Sequence, residues 1–103
     1  AAEADRIRLE ALMAKLSLDV RAAYQAWVRA EDARDQAERN AESAAELLAL
    51  VAARAARGGA TELELERAGL DAERAGLNSL AKALEAERAR MAAALAARYP
   101  LSN

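Results

Sequence analysis

The sequence predicts an all-α fold, one long antiparallel hairpin with helices over about residues 2–57 and 62–98. Three observations carry this. Apolar and small residues recur at steps of three and four along nearly the whole chain. One convincing break interrupts them, from Arg54 to Glu64. The composition is that of long helices: Ala, Leu, Glu and Arg dominate, Phe is absent and aromatics are 3%.

The first helix rests on a heptad-like stripe. It runs from Leu9, Met13, Leu16 and Val20 through Tyr24, Trp27, Ala30 and Ala33 to Leu48, Val51 and Ala55. Ser17, Asn40 and Ser43 are possible caps, and Ser43 with Glu46 mimics a capping box. The stripe passes through all of them unbroken, so they read as helix positions.

The tip then carries a stop signal and a start signal back to back. Arg54 and Arg57 place positive charge in a last turn, where the helix dipole favours it. Gly58 can take the left-handed conformation that closes a helix, and Gly59 gives a second free joint. Were Gly59 left-handed as well, Gly59→Ala would be strained by about 1 kcal/mol. Thr61 can cap the next helix, and Glu64 stands where a capping box needs it. A connection this short forces the helices antiparallel.

The second helix shows two stripes on opposing faces. Leu63, Leu70, Leu77, Leu84 and Met91 recur every seventh residue, flanked by Glu66-Arg67, Glu73-Arg74 and Glu87-Arg88. The other stripe is small: Ala68, Ala72, Ala75, Ser79, Ala86 and Ala93. The stricter leucine stripe is expected to form the seam of the hairpin, leaving the small one free. A helix with two stripes needs a neighbour on each side, as in a bundle or the wall of a helical barrel. Tyr99-Pro100 is expected to end it. At about 1.5 Å per residue the helices are roughly 80 and 55 Å long. Residue 98 should therefore lie near residue 20, and residues 1 to about 18 should overhang.

Chemistry is sparse. With no His and no Cys, the commonest general base, most metal ligands and all thiol chemistry are missing. The carboxylates Glu31-Asp32-Asp35 and Glu62-Glu64-Glu66 are interleaved with arginine or explained by a cap, so they read as solvated faces. Trp27 and Tyr24 read as packing anchors. No enzyme activity and no cofactor is expected. Fifteen basic and seventeen acidic residues are interspersed, which leaves no basic patch for nucleic acid. No apolar run is long enough to span a bilayer as a helix.

The tip resembles that of the outer-membrane efflux protein family, the TolC-like channels of tripartite pumps. That family's tip reads Arg, an aromatic, two variable residues, Gly, a hydrophobic residue, a small residue, Ser or Thr, any residue, Leu, Asp, Leu. Arg54, Gly58, Ala60, Thr61, Leu63 and Leu65 match it, with Glu64 in the Asp place. Asp19-Val20-Arg21-Ala22-Ala23-Tyr24 is similar to the family's run ending in Ala-Tyr. Ala55 stands where the family has an aromatic, and Gly59 where it has a hydrophobic residue, so this tip is less apolar.

The resemblance implies a trimeric channel in a Gram-negative outer membrane, continued into the periplasm by an α-helical barrel of hairpins. Residues 1–103 would be one hairpin excised from that barrel. Its tip residues Arg57, Gly58, Gly59, Ala60 and Thr61 would dock the hairpin of a membrane fusion adaptor. The channel would be a passive conduit. In isolation the segment is expected to self-associate modestly, as an antiparallel dimer of hairpins. The alternative is a free-standing coiled-coil scaffold or adaptor protein.

Overall fold

The computed structural model describes residues 2–98. They form two α-helices: α1, Ala2–Ala56, and α2, Glu62–Arg98. The helices fold back on each other as an elongated hairpin 84 Å long and 15 Å across. The proposed stop at Tyr99-Pro100 lies outside the described residues. The helix runs straight through Ser17, Asn40 and Ser43. Every residue from 2 to 15 is exposed, so the start of α1 extends beyond the two-helix section.

The seam is regular. On α1 the inward positions are Leu16, Val20, Ala23, Trp27, Ala30, Arg34, Ala37, Ala41, Ala44, Leu48, Val51 and Ala55. On α2 they are Leu65, Ala68, Ala72, Ala75, Ser79, Lys82, Ala86, Ala89, Ala93 and Ala96. Steps of three and four alternate without a fault on both helices. That is a period of 3.5, the repeat that keeps one face inward in a left-handed supercoil. Counting back equally from the tip sets Leu48 against Ala72, Arg34 against Ala86, and Trp27 against Ala93. Large residues of one helix therefore cover small residues of the other, and the buried positions are all alanine: Ala37, Ala68, Ala86 and Ala93. Alanine seams bring helix axes toward the short end of the usual 8–10 Å range.

This arrangement corrects the expected use of the α2 faces. The small stripe packs on α1, and the leucine stripe points outward. Leu63, Leu70, Leu77, Leu84 and Met91 are all exposed, as are Leu80 and Leu95, whereas Ala86 is 0% exposed. The physical reason is the number of inward positions per heptad. The small stripe fills two, as a two-helix seam requires. The leucine stripe fills one, with Glu-Arg pairs at three of the intervening steps. Large residues facing α1's own Trp27, Arg34 and Leu48 would overpack.

Two positions on α1 are corrected for a related reason. Tyr24 is 57% exposed, and Ala23 takes its place inside. Ala33 is exposed, and Arg34 is half-buried. A strict 3.5 repeat selects residues 23 and 34, and the arginine stem is long enough to lie along the seam. Tyr24 instead packs edge-on to Trp27, with ring centroids 5.6 Å apart at 89°.

Candidate functional site

The tip is closed by backbone hydrogen bonds that its sequence permits. α1 ends at Ala56, and Gly58 has φ +76°, the only positive φ among the described residues. The Gly59 N–H donates to the Arg54 carbonyl at 2.7 Å, and the Gly58 N–H donates to the Ala55 carbonyl at 3.1 Å. These two bonds make the Schellman closure, which satisfies carbonyls that a helix end otherwise leaves free. The Arg57 N–H adds a tighter bond to the Arg54 carbonyl at 3.0 Å. Gly59 is not left-handed, contrary to the conformation entertained for it above. A Cβ built there would lie 3.4 Å from the Arg54 carbonyl oxygen and 3.8 Å from Arg54 Cβ, at the edge of ordinary contact.

α2 begins where the sequence places it. Thr61 Oγ1 accepts from the Glu64 N–H at 3.1 Å, and the Thr61 carbonyl accepts from the Leu65 N–H at 3.1 Å. Thr61 is therefore the N-cap. The capping box is half formed: among the described residues no bond returns from the Glu64 carboxylate to Thr61. Glu62 and Glu64 put negative charge in the first turn, beside the positive end of the dipole.

The five tip residues are thus contiguous at one end of the rod. Arg57, Gly58, Gly59 and Thr61 are exposed, and Ala60 is half-buried. No ion pair engages Arg57 among the described residues, so its guanidinium is free for a partner's carboxylate or carbonyls. Leu63 belongs with this surface. At 69% exposure it stands beside the tip, although the sequence pattern assigned it to the seam. Counting the heptad from Leu65 would have found it: residue 65 begins the inward series, which leaves 63 outside.

A second concentration of polar groups lies midway along the rod. Trp27 Nε1 donates to Glu31 Oε1 at 3.1 Å, and Arg34 pairs with Glu31 at 2.7 Å. Asp35 and Glu38 lie 3.8 and 3.9 Å from the same guanidinium. Arg34 Nε is buried without a hydrogen-bond partner among the described residues. On α2, Arg90 donates to both oxygens of Glu87 at 3.2 Å. That bond first holds the Glu87 carboxyl below its ordinary range against the opposing desolvation, and the charges of Arg90 and Arg34 add to it. The carboxylates here are consumed by arginine, and no group of three or more metal-ligating side chains forms among the described residues.

No family model, curated protein or solved structure matches the chain. No helix of the described residues is long and apolar enough to cross a membrane.

Proposed function

We propose that this hairpin is a docking and assembly element: the periplasmic hairpin of an outer-membrane efflux channel, whose tip meets a membrane fusion adaptor. The observation that carries the reading is the tip. The rod ends in an exposed surface of small residues and Arg57, which makes no ion pair among the described residues. A merely structural turn needs Gly58 to close α1 and Thr61 to open α2. It does not need Gly59, which is exposed and conformationally ordinary. Small residues at Gly59 and Ala60 let a second hairpin tip approach closely. The apolar stripe left free on α2 supports a piece of something larger, as do the exposed Ile7, Leu9, Leu12, Met13 and Leu18 at the start of α1. The passive-conduit role, the trimeric parent and the periplasmic location rest on the resemblance of Arg54, Gly58, Ala60, Thr61, Leu63 and Leu65 to the family tip.

The test is Gly59→Asp in the parent protein, with assembly and efflux measured together. The substitution places a charge in the contact while leaving the Schellman bonds, which use the Gly59 backbone, in place. The expected result is a correctly assembled channel with impaired efflux. Full efflux from an assembled Gly59→Asp channel reduces the stretch to a turn.

The unbroken heptad on both helices favours a second reading, a free-standing coiled-coil scaffold. Sequencing the parent gene separates the two. Alternating strands flanking this segment, with a second similar hairpin, mean a channel.

A further inference from the structure

The leucine stripe of α2 has a flank pattern that specifies its partner. On a helix, the residue three beyond a stripe position lies on one side of the stripe, and the residue four beyond lies on the other. Along Leu63, Leu70, Leu77, Leu84 and Met91, the first side reads Glu66, Glu73, Leu80, Glu87, Ala94. The second side reads Arg67, Arg74, Ala81, Arg88, Leu95. One edge is acidic where the other is basic, and apolar where the other is apolar.

Five of these six charges are not used inside the chain among the described residues; Glu87 alone is. Adjacent residues on a helix do not face each other, and none of these Glu-Arg neighbour pairs forms an ion pair among the described residues. Arg90 takes Glu87, and Lys82 takes Glu85. Glu66, Arg67, Glu73, Arg74 and Arg88 make no ion pair among the described residues. Leu63, Glu66, Arg67, Leu70, Asp71 and Arg74 line a shallow groove of about 330 Å³ on this face.

We propose that this stripe pairs with the same stripe of a second copy of the chain, parallel and in register, with both tips at one end. In a parallel two-fold pair, the first side of one helix meets the second side of the other. Glu66 then faces the second copy's Arg67, Glu73 its Arg74 and Glu87 its Arg88, while Leu80 faces its Ala81. Leucine meets leucine at each layer, and Met91 meets Met91. In any antiparallel register the first sides meet each other and the second sides meet each other. Glutamate then faces glutamate and arginine faces arginine. Charge complementarity therefore selects the parallel pair over the antiparallel dimer anticipated from the sequence. The proposal concerns the chain on its own and does not rest on the channel reading.

The experiment uses the whole chain, and circular dichroism checks that each variant keeps its helicity. Sedimentation equilibrium should show a concentration-dependent dimer. Leu77→Lys alters an exposed central layer in both copies and should weaken association by more than about tenfold. Orientation is read by cysteine, since the chain has none of its own. Leu63→Cys should form a disulfide with a second Leu63→Cys chain under mild oxidation, and Met91→Cys likewise with itself. Positions 63 and 91 are roughly 42 Å apart along a helix, far beyond the ~7 Å that a disulfide tolerates between Cα atoms. A monomer at all concentrations overturns the proposal, as does a dimer indifferent to Leu77→Lys. Preferential disulfides between Leu63→Cys and Met91→Cys chains overturn it by showing the antiparallel pair.

Discussion

Replacing Gly58 with alanine isolates the conformational strain at the tip. No atom lies within 4 Å of a Cβ built on Gly58, so alanine meets open space there. Its cost comes from φ +76° alone. For an L-residue the left-handed region costs about 1–2 kcal/mol. Against this, alanine restricts the unfolded chain and returns about 0.4–1 kcal/mol. The net destabilisation is about 1 kcal/mol. Gly59→Ala supplies the internal control, because its φ is not positive and its Cβ would only touch Arg54. The same unfolded-state term then makes Gly59→Ala neutral or slightly stabilising. Thermal unfolding followed by circular dichroism, at low chain concentration, reads both. A loss of 1 kcal/mol in a domain of this size lowers Tm by about 4–8 °C. Equal shifts for the two variants, or a larger loss at Gly59, would refute the assignment of the left-handed position to Gly58.

Two further outcomes test the seam and the mid-rod charges. Ala86→Leu inserts bulk at a fully buried position opposite Arg34 and should destabilise by about 1–3 kcal/mol. Leu77→Ala, on the outer stripe, should leave the monomer within about 0.5 kcal/mol in the same denaturation assay; the reverse ranking would put the leucine stripe inside. The Glu87 carboxyl should titrate below the ordinary carboxylate range by NMR, and in Arg90→Gln its midpoint should rise. Because the folded-state pKa is depressed, the associated stability is present above the unfolded value and disappears as pH falls through the folded one. An unchanged midpoint in Arg90→Gln would remove the hydrogen bond as the cause.

The two helix ends at the tip were legible because each rests on local chemistry. Gly58 and Thr61 mark their roles through backbone freedom and a hydroxyl at fixed offsets, and no distant residue is needed to interpret them. The choice between the two faces of α2 was not legible from hydrophobicity. Leucines at every seventh position score highest on any apolar scale, yet a two-helix seam is decided by volume at two positions per heptad. Ala68, Ala72, Ala75 and Ala86 satisfy that, and only the facing Leu48, Arg34 and Trp27 reveal it. Tyr24 and Ala33 were misplaced because a single helix allows a stripe to drift at 3.6 residues per turn, whereas a partner holds it at 3.5. The docking role proposed for the tip rests on the resemblance to a family rather than on packing.

The single short connection has a consequence for how the rod assembles. Partners across the seam are ten residues apart in sequence at Ala55 and Leu65, and 66 apart at Trp27 and Ala93. Loop-closure entropy rises with that separation, so the first cross-helix contact forms most readily next to Gly58, and each later one is brought within reach by the last. The chain should close like a zip from its tip. Amide protons should exchange most slowly near the tip and progressively faster toward Ala23 and Ala96, which makes the tip the end that opens last.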